Sequence, residues 1–283
     1  MTGWLVGLLV LGFGYLAVAV VAYVRQEPMF FQPKRALAAD PGDEGLAFDD
    51  LALTTDDGVS LHAWWLPGPE DPAPDSPGAP FTLLYLHGAN TNLGDRVDAL
   101  RFWHDLGFDI LALDYRGYGR SGGRATEDGL YRDVRAAWAW LTSRRVPPAH
   151  IVIAAESMGV SLATQLGVEV KPAAMVLEAG FTNAGDMAVR RYPWLPVRRL
   201  MRLRLDNEER IGRIRCPKLI VHSVDDALVP IGMGRRLERR AAPPREFLKI
   251  RGAHARACVE GGPRYATALR QWLGGLEIRD GVA

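Results

Sequence analysis

The sequence is poor in cysteine, nearly neutral overall and free of internal repeats. Its only cysteines are Cys216 and Cys258. Two are too few for a disulfide framework, and neither lies in a metal-ligand spacing; two reduced, mostly buried thiols are expected. A formal net charge of +1 gives no basis for nucleic acid or an acidic macromolecule as partner. No Lys or Arg precedes Trp4, so the basic n-region of a secretory signal is missing. The 283 residues suffice for one large domain plus an appendage, and eight tryptophans fit a globular protein with a substantial core.

Trp4 to Val24 is a run of 21 residues without charge, amide or proline, about the length that crosses a hydrocarbon core of roughly 30 Å. Trp4, Tyr15 and Tyr23 supply aromatic residues at both ends of the run. Ala17-Val18-Ala19 imitates a cleavage site but lies inside it, so an uncleaved single-pass anchor is expected at 1–24. Arg25, Lys34 and Arg35 follow it, and the positive-inside tendency places the main domain on the cytoplasmic side.

A polar linker is expected at 25–45. Leu51 to Leu66 then reads as two alternating runs around Asp57-Gly58, a hairpin with a two-residue turn. Pro67 to Pro80 holds six prolines and two glycines and must be an exposed loop. Continuous apolar strands are expected at 81–86, 110–114, 151–154, 174–178, 218–222 and 247–250. Helices are expected near 93–106, 127–143, 160–166, 233–240 and 263–273, with Leu130, Val134, Trp138 and Leu141 marking an apolar stripe on the second. Apolar strands alternating with helices make an α/β protein, its mostly parallel sheet covered on both faces.

In such a sheet chemistry collects at the carboxyl ends of the strands. Ala154-Ala155-Glu156-Ser157-Met158-Gly159 joins the Ile151-Val152-Ile153 strand to a helix and puts a serine at the tip of a tight turn. The small residues at 155 and 159 suit close packing of strand and helix. Asp225 and Asp226 follow the strand ending at His222, and His254 lies in a small-residue loop after the strand ending near Ile250. A nucleophile, a base and a carboxylate thus stand at three strand ends. Loop register favours Asp226 over Asp225; His62, His87 and His222 read as structural. Two backbone N–H groups would stabilise an oxyanion: that of Met158, and one from the His87-Gly88-Ala89 loop, with Ala89 preferred and Asn90 the alternative.

These stretches together resemble the α/β-hydrolase superfamily and, within it, the membrane-anchored bud-emergence-type serine hydrolases. The likeness rests on residues 54–65 (Thr-Thr-Asp-Asp-Gly-Val-Ser-Leu-His-Ala-Trp-Trp), His87-Gly88, 114–122 (Asp-Tyr-Arg-Gly-Tyr-Gly-Arg-Ser-Gly), 192–197, 216–222 and Asp226-Ala-Leu-Val-Pro230. It implies the α/β-hydrolase fold with its Ser, Asp, His order, and it puts Asp226 at the family's acid position. It implies ester or thioester cleavage by Ser157, Asp226 and His254, with no metal and no organic cofactor. Ala155 replaces the first elbow glycine, and Ala89-Asn90 stands where relatives often have Asn directly after His-Gly.

The expected division is an anchor (1–24), a linker (25–45), a hydrolase domain (46–276) with a small cap near 180–214, and a tail (277–283). The cap carries Arg190, Arg191, Arg198, Arg199, Arg202 and Arg204 with no intervening acid, a surface suited to anionic headgroups beside the anchor. A membrane-tethered hydrolase of small-molecule or lipid acyl esters is the leading expectation. A peptidase or amidase using the same three residues, and a non-catalytic tethered scaffold, are the alternatives.

Overall fold

The structure, a computed structural model, describes residues 2–72, 76–79 and 81–276. The expected tail and part of the proline-rich loop lie outside the described residues. Among these, eight strands form one sheet: β1 Asp49–Thr54, β2 Ser60–Leu66, β3 Thr82–Leu86, β4 Asp109–Leu113, β5 Ile151–Glu156, β6 Ala174–Glu178, β7 Lys218–Ser223 and β8 Arg245–Ile250. Their order is β1-β2-β4-β3-β5-β6-β7-β8. β2 runs antiparallel to both β1 and β4, and β3 to β8 are parallel throughout.

The helices are α1 Thr2–Val24, α2 Gln26–Phe31, α3 Val97–His104, α4 Glu127–Ser143, α5 Met158–Glu169, α6 Ala184–Arg191, α7 Val197–Leu200, α8 Asn207–Ile211, α9 Ile231–Arg240, α10 Ala257–Glu260 and α11 Gly262–Gly274. Alternation along β5 divides the core. Ile151, Ile153 and Ala155 face a cluster with α4, α5 and α9; Val152 and Ala154 face another with α3 and α11. Strands buried on both faces need no polar alternation, which is why they read as unbroken apolar runs.

Two expectations change. The hairpin turn spans Thr55–Gly58 and closes through Gly58 N–H to the Thr55 carbonyl (3.0 Å). Gly58 takes φ +79°, which only glycine adopts without strain, so the loop is longer than the two-residue turn expected. The second concerns 25–45, which is packed against the domain. Phe31 is fully buried, and Phe30 meets Phe181 edge-on at 5.7 Å. The Gln26 carboxamide accepts the N–H groups of Arg202 (2.7 Å) and Leu203 (3.1 Å) and donates to the Leu200 carbonyl (2.7 Å). Lys34 pairs with Asp95 and Arg35 donates to the Ser121 carbonyl. Polar composition suggested a linker because these polar groups satisfy the backbone of distant segments.

α1 is exposed over most of its surface and, by length and composition, suffices to cross a membrane over Gly3–Val24. The cap region is smaller than 180–214 suggests, because Ile211 and Ile214 belong to the core. Its projecting part is α6, α7 and the turn between them.

If 25–45 is core, Phe31→Ala should destabilise the domain by about 3–5 kcal/mol. The readout is the midpoint of urea unfolding in detergent micelles. A linker residue would shift it by less than about 0.5 kcal/mol.

Candidate active site

The turn between β5 and α5 is steric in origin. Ser157 takes φ 53°, ψ −112°, a strained conformation costing on the order of 1–3 kcal/mol. It is held by Ser157 N–H to the Glu178 carbonyl (2.9 Å) and by Val160 N–H to the Ser157 carbonyl (3.1 Å). Glycine is needed at 159, where a methyl would collide with the Leu86 carbonyl oxygen at the end of β3. At 155 the side chain turns into the core instead, and the alanine methyl fits there, 2% exposed. The departure from glycine at 155 therefore costs the turn nothing.

Three loops then converge. His254 Nε2 lies 2.8 Å from Ser157 Oγ, and His254 Nδ1 lies 2.7 Å from Asp226 Oδ2. The other Asp226 oxygen accepts the N–H groups of Leu228 (2.9 Å) and Val229 (2.8 Å). Burial alone would raise the Asp226 pKa. The His254 hydrogen bond and charge, with those two N–H groups, outweigh burial and hold it below the ordinary value. Asp225 instead faces Arg251 (3.3 Å) and the Gly252 N–H. The structure thus brings Ser157, His254 and Asp226 together and leaves Asp225 outside.

His222 Nε2 donates to the Val229 carbonyl (2.9 Å) from beneath the acid loop. His62 binds Asp114 at 2.8 Å, fully inside the domain. Ser161 is buried within α5.

The loop after β3 passes directly beside the serine: a methyl on Gly88 would stand 3.6 Å from Ser157 Cβ. The N–H groups of Met158, first in α5, and of Ala89 find no protein acceptor among the described residues. Both are available to a developing oxyanion, and the positive end of the α5 dipole adds to the first. Ala89 is held from behind. Tyr118 Oη donates to the Ala89 carbonyl (2.7 Å) and also reaches the Phe31 carbonyl. Tyr115 Oη donates to the His87 carbonyl (3.0 Å).

Sequence reasoning missed the carboxylate pair beneath the site. Glu156 and Glu178 end adjacent strands in register and are almost fully buried. Glu156 accepts from Tyr85 Oη (2.5 Å) and Arg96 Nε (2.7 Å). Glu178 accepts the Ala257 N–H (2.7 Å), three residues beyond His254, and so ties the histidine loop to the sheet. Burial, then the Glu156 charge, pushes the Glu178 pKa well above the ordinary carboxylate range. An acid closing each of two otherwise apolar strands was the available signal.

A family model described as "Serine aminopeptidase, S33" matches residues 80–205. An α/β hydrolase domain-containing protein 17B of Xenopus tropicalis is 31% identical over 203 residues, covering 70% of this chain and 68% of that protein. The chain belongs to the α/β-hydrolase superfamily. An uncharacterised protein of Mycobacterium tuberculosis is 35% identical over 204 residues, 72% of this chain and 70% of its own length. A lysophosphatidylserine lipase, ABHD12, of Mus musculus is 33% identical over 186 residues, 58% of this chain and 46% of the lipase. Among solved structures, esterase Pf2001 of Pyrococcus furiosus superimposes with a TM-score of 0.69 at 22% identity, covering 86% of this chain and 98% of the esterase.

Glu178 yields a pH test whose sign follows from its raised folded-state pKa. That shift contributes stability at low pH, which is lost as pH climbs from the unfolded value of 4.5. Glu178→Gln keeps an oxygen for Ala257 N–H but cannot ionise. Its melting temperature relative to wild type should therefore rise steadily between about pH 5 and about pH 8. A pH-independent difference would contradict a proton held on Glu178.

Proposed function

We propose that this chain is a membrane-anchored serine hydrolase of carboxylic esters or thioesters, with acyl lipids as its substrate class. The observation that carries the reading is the continuous path from Ser157 Oγ through His254 to Asp226, at 2.8 Å and 2.7 Å. Support comes from the family and from relatives named as lipase and esterase. The anchor is α1.

In this reading His254 Nε2 takes the Ser157 proton as Oγ attacks the acyl carbonyl. Asp226 holds Nδ1–H and stabilises the imidazolium. The tetrahedral oxyanion is received by the N–H groups of Met158 and Ala89. His254 then returns the proton to the leaving alcohol or thiol, and water, deprotonated by the same histidine, releases the acid from the acyl-enzyme. Asp226 must be ionised, and its lowered pKa keeps it so well below neutrality.

The name of the matched family model favours a second reading, amide cleavage. The same residues would serve, but an amine leaves only if protonated by His254 as the bond breaks. Turnover of p-nitrophenyl acyl esters against aminoacyl amides separates the two, and faster amide turnover would reverse the preference.

A fluorophosphonate probe should label the wild type and leave Ser157→Ala unlabelled; labelling that survives Ser157→Ala would remove the proposal, including its advantage over a non-catalytic scaffold. Tyr118→Phe keeps the ring and loses the hydroxyl behind Ala89. It should lower kcat by about 3- to 30-fold with KM within about twofold, since small misplacements of a charge-stabilising group act on the transition state.

A further inference from the structure

The contacts between the cap and α1 measure how deep the cap reaches. Arg202 lies over the Tyr23 ring at 4.8 Å and donates to the Tyr23 carbonyl at 3.2 Å, beside the end of the helix. α7 packs along α1. At the tip, Tyr15 Oη donates to the Trp194 carbonyl at 3.3 Å, and the two rings meet edge-on with centroids 6.4 Å apart. Tyr15 stands nine residues before Val24, so the tip reaches about 13 Å along the helix at 1.5 Å per residue. One leaflet of hydrocarbon is about 15 Å deep.

The tip is built for that depth. Residues 192–197, Tyr-Pro-Trp-Leu-Pro-Val, carry no charge. Pro193 and Pro196 have no N–H to satisfy. The N–H groups of Tyr192, Leu195 and Val197 bond internally, to the carbonyls of Ala188 (2.8 Å), Tyr192 (3.1 Å) and Leu195 (2.8 Å). Irregular backbone in lipid is expensive unless its polar groups are paired, and here all but one backbone N–H is paired or absent. Trp194 is nonetheless 56% exposed. Of the flanking arginines, Arg198 is neutralised by Asp186 at 2.8 Å. Arg190, Arg191 and Arg199 have no partner among the described residues, and their apolar stems allow the charged ends to reach headgroups.

We infer that Tyr192–Val197 is a wedge seated in the acyl chains of the leaflet facing the catalytic domain, stapled to α1 by the Tyr15–Trp194 contact. The inference rests on the anchored reading above. Its partner is the hydrocarbon of that leaflet. Arg202 marks the headgroup level, and Trp194 lies nearly one leaflet below it. The cap therefore reaches the layer where a lipid's acyl chains lie.

The test uses the full chain in vesicles of phosphatidylcholine and phosphatidylglycerol. Trp194→Cys is labelled with bimane, and an unsubstituted chain treated alike corrects for Cys216 and Cys258. Quenching should be strongest with doxyl groups deep in the acyl chain and weak with aqueous iodide. Strong iodide quenching in a chain that resists carbonate extraction overturns the wedge alone; a chain released by carbonate overturns the anchor and the wedge with it. Trp194→Glu should lose at least about tenfold activity on a long-chain ester dissolved in the vesicles, since a charge is costly at that depth. On a water-soluble short-chain ester it should equal the wild type. Equal losses on both esters, or none on either, overturn the wedge.

Discussion

The structure depends on how closely α5 approaches the end of β3. Gly159 lies against the Leu86 carbonyl with no room for a methyl, and that contact forces Ser157 into its strained turn. The same approach brings the Gly88 backbone beside the serine, so Ser157 and the loop after β3 are set by one steric event. Cross-strand pairing of Leu86 with Ala155 and of Glu156 with Glu178 fixes the heights of the three strand ends. The acid and histidine loops then need only be aimed, through the backbone bonds to Asp226 and the Glu178–Ala257 tie.

Beneath the site two acids are buried where one charge is compensated. Arg96 and Tyr85 satisfy Glu156, leaving Glu178 as the member that holds a proton. Like charges on neighbouring strand ends cannot both ionise cheaply in a low dielectric. The arrangement gives the histidine loop a hydrogen-bond acceptor without adding a second negative charge near Asp226. It is an electrostatic solution to a mechanical need.

Much of this was legible in the sequence because the parallel strands announce themselves as apolar runs and the elbow needs small residues. α4 and β6 fall at the residues their patterns predict, and Ser157, Asp226 and His254 follow from strand ends in chain order. What was illegible is long-range. Nothing local in Gln26 says that it will cap the backbone at Leu200, Arg202 and Leu203, and nothing in Tyr118 says that its hydroxyl will brace Ala89. The six cap arginines read as one basic face, but Asp186 from the preceding helix neutralises Arg198 and also holds Arg236. Alanine in place of glycine at 155 is tolerated because its methyl enters the core, which the hexapeptide alone does not reveal.

The Gln26 clamp has a consequence for how such an enzyme meets its substrate. A catalytic domain on a floppy tether samples every orientation and searches the surrounding volume. Here the segment after α1 is bonded to the cap and to the loops around the site, so the domain keeps one attitude toward α1. On the membrane-anchored reading proposed above, encounter becomes a two-dimensional problem. Its speed would then be governed by the mole fraction of ester in the bilayer and its lateral diffusion, and would be insensitive to how much ester is dispersed in the water above.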